Sequence, residues 1–287
     1  ILEGLSLFVF MANDVLLFYL FFEATLIPTY FLIVGFGGVR RSYAAVKFLL
    51  FSLAGGLIML ASVVGVYVVG AAQGVPSYLV PDLAAIRFDG DLGRWLMLGF
   101  LIAFIIKAPM VPLHTWLPDA AENATPGTST LLVGVLDKIG TFGMIKFCLG
   151  LFPEASVWAT PFMLVLAVIS VLWGALAAAR STNLLRLVAY TSVSHFGFMV
   201  LGIYAFTTAG MTGSMFYMLN HGFSTAALFL VVGFMIHRRG SADLHAYGGV
   251  QKIAPVLAGV LLVSGLASLS LPGLAPFVSE FMVLSGS

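Results

Sequence analysis

Six ionisable residues lie where an apolar chain has no cheap place for them. Glu23 sits in FYLFFEATLIP, Lys107 in LIAFIIKAPMVP and Lys138 in LLVGVLDKIGTFG. His195 sits in YTSVSHFGF, His221 in YMLNHGFS and Glu280 in PFVSEFMVL. A charge at mid-membrane depth costs about 3 kcal/mol or more unless it is paired or hydrated, and residues placed there commonly serve as proton relays. A carboxylate that approaches or leaves a buried lysine changes how firmly that lysine holds its proton. An electrostatically driven proton site needs no more than this. His114, in PLHTWLPD, is a further candidate; with Asp119 and Glu122 it stands at a helix end, where solvated end residues are an equal reading.

Each residue also has a plainer reading. Glu23 and Lys107 suit a static ion pair that fixes helix packing. Either histidine alone suits a hydrogen-bonded packing role. Metal or haem ligation is weakly supported, because no ligand-spaced histidine pair shares a helix. Lys138 is not expected to pair with Asp137, since neighbouring helical side chains point apart, and Asp137 has no evident partner. Cys148 reads as a small apolar residue. As the single cysteine it excludes internal disulfides and a cysteine-ligated cluster within the chain.

The elements that must carry these residues are membrane helices. The chain is 61% hydrophobic and 9% charged over 287 residues, with mean hydropathy +1.08. That composition belongs to an all-α polytopic membrane protein in contact with the lipid bilayer. The net charge of +1 gives no sign of an acidic partner, and no nucleic acid is expected. Residues 1–12 look like the end of one helix. The hydropathy then predicts spans at about 15–36, 43–70, 95–118, 126–151, 161–180, 184–207, 212–237 and 253–285. Pro109, Pro112 and Pro118 should break the third near Ala108. Leu271-Pro272-Gly273 and Pro276 should break the last. Asn183 is placed to cap the span that follows it.

Alternation puts Arg40, Arg41, Lys47, Arg180, Arg186, Arg238, Arg239 and Lys252 on one side and only Arg87 and Arg94 on the other. The basic side is expected to be cytoplasmic. Lys146 lies near a helix end and is placed to snorkel. Two broken helices five spans apart suggest inverted repeats, the architecture of ion-coupled transporters. The expected organisation is a single transmembrane domain over 1–287, part of a longer chain. A first repeat would cover 1–151, with a partial first helix, and an incomplete second repeat 161–287.

The stretch KAPMVPLHTWLPDAAENATPG, followed by LLVGVLDKIGTFGMIKF, resembles the signature of the antiporter-like proton-pumping subunits of respiratory complex I. FFEATLIPTYFLI, AYTSVSHFGF, LNHGFSTAALFL and LPGLAPFVSEFMVL resemble the same family in the same order, over essentially the whole chain. SEF at residues 279–281, where the L-type paralogue resembles SKD, is similar to the M-type branch. The resemblance implies an antiporter-like inverted five-helix repeat with two broken helices, 95–118 and 253–285. It implies that Glu23 pairs with Lys107 and that Lys138 is the connecting lysine of the next helix. His195 and His221 would be relay histidines, Glu280 the terminal ionisable residue, and His114 a histidine of the first motif. Asp137 departs from the family, which usually resembles LLK there.

The function implied is proton translocation within an NADH:quinone oxidoreductase, beside L-type and N-type subunits. No cofactor is expected in this chain. No dinucleotide fingerprint or cysteine set is there for flavin or iron–sulfur clusters, and the redox energy would come from other subunits. The Ala/Gly/Val-rich composition hints at a bacterial plasma membrane. Rival readings are a subunit of a multisubunit Na⁺/H⁺ antiporter or membrane-bound hydrogenase, and a structural scaffold whose charges are static pairs.

Overall fold

The computed structural model describes residues 1–287, and every regular element is a helix. α1 (Leu2–Met11) is followed by α2 (Val15–Ala24), whose first turn is capped by Asp14 accepting from the Leu17 amide at 2.8 Å. The span expected at 15–36 is jointed at Thr25 before α3 (Leu26–Phe36). The cause is local. Pro28 has no amide to offer the Ala24 carbonyl, and the Thr25 and Thr29 hydroxyls bind the carbonyls of Phe22 and Thr25, each at 2.7 Å. α4 (Arg41–Ala72) runs unbroken. The long connection after it holds a short helix, α5 (Val80–Ala84), and α6 (Gly90–Lys107) starts earlier than its apolar run suggests.

The first break falls where the prolines place it. Ala108 is extended, with ψ 94°, and the chain becomes helical again as α7 (Trp116–Asn123). The next span is not a plain α-helix. α8 (Pro126–Leu131), capped by the Thr125 hydroxyl, passes into a π-helical turn π1 (Leu132–Leu136), then α9 (Lys138–Gly143), then π2 (Met144–Leu149). α10 (Pro153–Arg180) begins before the expected 161, because the helix carries Pro161 in its interior rather than starting there. α11 (Leu184–Tyr204) starts at Asn183, which accepts from the Leu185 and Arg186 amides at 3.0 and 3.1 Å. α12 (Thr208–Arg239) is the second 32-residue helix. α13 (Val250–Ile253) and α14 (Pro255–Ser268) lead to the second break, and α15 (Ala275–Gly286) follows it.

Five stretches are each long and apolar enough to cross a membrane: Val15–Phe36, Arg41–Ala72, Pro153–Arg180, Leu184–Tyr204 and Thr208–Arg239. Their packing is that of membrane helices. α4 buries Ala44, Ala45, Ser52, Gly55, Gly56 and Ser62, and exposes Leu50, Leu53, Leu57 and Val64. Small residues let backbones approach, while large apolar ones meet lipid.

The ends of the helices meet in two sets, as alternation requires. At one end Asp14 bridges to Leu79, and Thr207 donates to the Gly286 carbonyl. At the other end Arg40, Lys47 and Arg186 meet Asp119 and Glu122, and Asn183 bridges to Asp243.

Candidate functional site

Lys107 is the last residue of α6, where unpaired helix carbonyls favour a cation. Its side chain is 1% exposed. The ammonium lies 5.2 Å from the centre of the Phe22 ring and 5.8 Å from that of Phe48, with no hydrogen-bond partner among the protein groups. The Trp116 indole holds the broken end by donating to the Ile106 carbonyl at 2.9 Å. Glu23, on α2 beside Phe22, turns its carboxylate onto the backbone of α4 at Gly56, where any Cβ would collide with Oε1. Glu23 and Lys107 are not in direct ion-pair contact, in contrast to the expected pairing, although the field of Glu23 reaches the lysine.

Lys138 opens α9 just after the π turn. Its ammonium donates to the Val133 carbonyl at 2.5 Å and lies 2.8 Å from His221 Nδ1, over the Phe196 ring. The imidazoles of His221 and His195 are 5.1 Å apart centre to centre. His195 Nδ1 is 2.5 Å from the Tyr217 hydroxyl, and that hydroxyl is 3.3 Å from Glu280 Oε2 on α15. α15 is held there by Asn220, whose amide donates to the Ala275 carbonyl at 3.0 Å and to the Ser279 hydroxyl at 3.2 Å.

Asp137 joins the two halves of this row. It is fully buried, neither of its oxygens has a protein partner, and both Lys107 and Lys138 act on it electrostatically. α9 reaches the first break through Gly140, one turn further on, where an added Cβ would lie 2.5 Å from the Ala108 nitrogen and 2.6 Å from the Phe104 carbonyl oxygen. The structure thus brings together Glu23, Lys107, Lys138, His195, His221 and Glu280. Sequence reasoning missed Tyr217. A signal for it existed, since Tyr217 and His221 stand four apart on one helix face.

Three residues fall outside the row. His114 is buried in the segment between α6 and α7, with its ring 6.3 Å from that of Tyr190. Lys146 donates to the carbonyl of Ala12, the residue that caps the end of α1, at 2.5 Å. Cys148 is buried and its carbonyl accepts from Ser156 at 2.7 Å.

Asp119 and Glu122 are more than solvated end residues. Asp119 receives Lys47 at 2.6 Å and Arg186 at 2.7 Å, and Arg186 also reaches Glu122 at 2.8 Å. Burial pushes the Asp119 carboxyl up, but the hydrogen bonds from Lys47 and Arg186 outweigh it and hold the group below the usual carboxylate range.

Comparison with known proteins gives a consistent result. The profile of the family described as "NADH:quinone oxidoreductase/Mrp antiporter, TM" matches residues 12–287. The "NADH-quinone oxidoreductase subunit M" of Mycobacterium tuberculosis is 55% identical over 293 aligned positions, covering 100% of this chain and 53% of that protein. The chain therefore spans about half the length of the curated relatives it matches. Among solved structures, the respiratory complex I of Thermus thermophilus with bound NADH contains a similar chain. Its TM-score is 0.94 at 38% identity, over 99% of this chain and 60% of that one. An archaeal membrane-bound sulfane sulfur reductase contains another, with TM-score 0.86 at 25% identity, over 99% of this chain and 47% of that one.

Proposed function

We propose, since the chain belongs to the NADH:quinone oxidoreductase/Mrp antiporter transmembrane family, that it translocates protons as an M-type membrane-arm subunit of an NADH:quinone oxidoreductase. One observation carries the reading: Lys138, His221, His195, Tyr217 and Glu280 form a row of neighbouring groups that ends on the second broken helix, and Glu23, Lys107 and Asp137 lie towards the first. Protons would enter and leave through the two helix breaks. Movement of the Glu23 carboxylate against Lys107 would set how firmly that lysine holds its proton. Lys138 would exchange with His221 across their 2.8 Å contact. Redox energy would come from other subunits, with L-type and N-type subunits as neighbours and no redox centre in this chain. A bacterial plasma membrane is the proposed location, with residues 1–151 and 161–287 as the two inverted repeats.

The test uses the intact complex in proteoliposomes, with NADH and a quinone. Lys107→Ala and Glu23→Gln should each lower coupled turnover and proton translocation on the order of tenfold or more, the scale of a lost proton-transfer group, while the complex still assembles. Normal coupling with assembly intact would reject the role and favour a scaffold of static charges. The family description also includes the Mrp antiporter, which keeps a second reading in view. Copurification with flavin and iron–sulfur subunits supports the oxidoreductase; their absence supports the antiporter.

A further inference from the structure

We infer that the Tyr217 hydroxyl is a proton-transfer group, the link through which His195 and Glu280 exchange a proton; this rests on the proposed translocation and adds a residue to it. The geometry is direct. Tyr217 is fully buried on α12, yet its hydroxyl contacts two ionisable groups carried by two other helices: His195 Nδ1 at 2.5 Å and Glu280 Oε2 at 3.3 Å. Its ring stands edge-on to the His195 imidazole, with centroids 5.6 Å apart, which aims the hydroxyl along the line from α11 to α15. Asn220, just under one turn along α12, fixes α15 at Ala275 and Ser279, so the distance across the hydroxyl is set by two separate attachments of the same pair of helices. A hydroxyl can accept one proton and donate another at the same time without changing its own charge.

The step balances. His195 begins as the imidazolium and Glu280 as the carboxylate. The proton on His195 Nδ1 passes to the Tyr217 oxygen while the tyrosine's own proton passes to Glu280 Oε2. The products are neutral imidazole with its proton on Nε2, unchanged tyrosine and a carboxylic acid. Rotation of the hydroxyl then restores the starting bond. Without the oxygen, neither the contact to His195 nor the contact to Glu280 would exist.

The experiment compares Tyr217→Phe, Glu280→Gln and Lys107→Ala in the full complex, reconstituted with NADH and ubiquinone. Tyr217→Phe keeps the ring and its packing. It should lower coupled proton translocation on the order of tenfold or more, as Glu280→Gln does. A packing role would leave the rate unmoved. Wild-type translocation in Tyr217→Phe, with Glu280→Gln and Lys107→Ala impaired, overturns the inference and leaves the proposed function standing. Wild-type rates in all three overturn both. If Tyr217→Phe does not assemble, fluorotyrosine placed at position 217 decides. It preserves shape and oxygen but makes the phenol more acidic. A shift in rate and in solvent isotope effect supports transfer through the hydroxyl, and unchanged values overturn it.

Discussion

Gly56 holds an electrostatic position by having no side chain. The Glu23 carboxylate occupies the space a Cβ would need, so the α2–α4 contact determines how near Glu23 stays to the field of Lys107. The balance at Lys107 is close. Burying the charge costs about 3 kcal/mol or more. A desolvated ring contact returns about 2 kcal/mol, and a helix C-terminus adds up to about 1 kcal/mol. The remainder rests with the carboxylates. Gly56→Ala should turn Glu23 away rather than unfold the protein, because the colliding atoms end a flexible chain. Moving a carboxylate about 3 Å further from a nearby ammonium removes on the order of 1 kcal/mol of attraction at an effective dielectric constant of about 20. Coupled turnover should fall several-fold, towards that of Glu23→Gln, with normal assembly. Wild-type turnover in Gly56→Ala would show that the position of Glu23 does not matter. Glu23, Lys107, Lys138, His195, His221 and Glu280 were all legible in the sequence, because a charge or an imidazole in an apolar run stands out. Tyr217 offered only its four-residue spacing from His221, a weak signal until its partners on other helices are known. The neighbourhood of Asp137 was hidden for the same reason: the second lysine that acts on it, Lys107, arrives from α6.

At the scale of elements, both breaks were readable from proline, because the missing amide is a property of the residue itself. The π turns around α9 were not. A π turn inserts one extra residue per turn, and nothing in LLVGVLDKIGTFG announces it; the distorted stretch packs α9 on α6 and π1 on α12. The span expected to start at 161 starts at Pro153, as α10 accommodates Pro161 in a continuous helix. The ionic cluster was likewise unreadable as a cluster. Lys47, Asp119 and Arg186 come from α4, α7 and α11; in the sequence Lys47 and Arg186 served only as markers of sidedness and Asp119 only as a helix-end residue. Here the sign of the pH effect is fixed. Asp119 is held below the usual carboxylate range, so its contribution is present above the ordinary carboxylate value and is lost as pH falls through its own lowered value. Acidification through that window should loosen α7 from α4 and α11, seen as faster proteolysis near 119–125 and a lower thermal midpoint. Asp119→Asn should remove most of this acid sensitivity while leaving Lys47 and Arg186 in place. A variant that keeps the full pH dependence would assign it to another group.

Across the whole molecule, the lysines and acids of the row sit on or beside interrupted helices, and its imidazoles and Tyr217 on continuous ones. The unbroken stretches Arg41–Ala72, Pro153–Arg180 and Thr208–Arg239 carry few charges and face lipid with leucine, valine and phenylalanine. Lys107, Lys138 and Glu280 lie on the three spans that are broken or π-distorted. Glu23 lies on α2 just before its joint with α3. The distribution has a physical reason. Irregular backbone at membrane depth is tolerated where it is buried in protein or lines a hydrated cavity, and the same sites can supply water and free backbone groups to a buried charge. Amide hydrogen exchange on the intact complex in lipid tests that division. Peptides covering 108–115 and 269–274 should exchange measurably faster than the middle of α4 or α10, although all lie within membrane-crossing spans. The central part of α12, which carries Tyr217 and His221, should fall between them, because its backbone is fully hydrogen-bonded while its side chains belong to the row. Protection at both breaks equal to that of α4 would mean that water does not reach them, and the row would then lack its two ends.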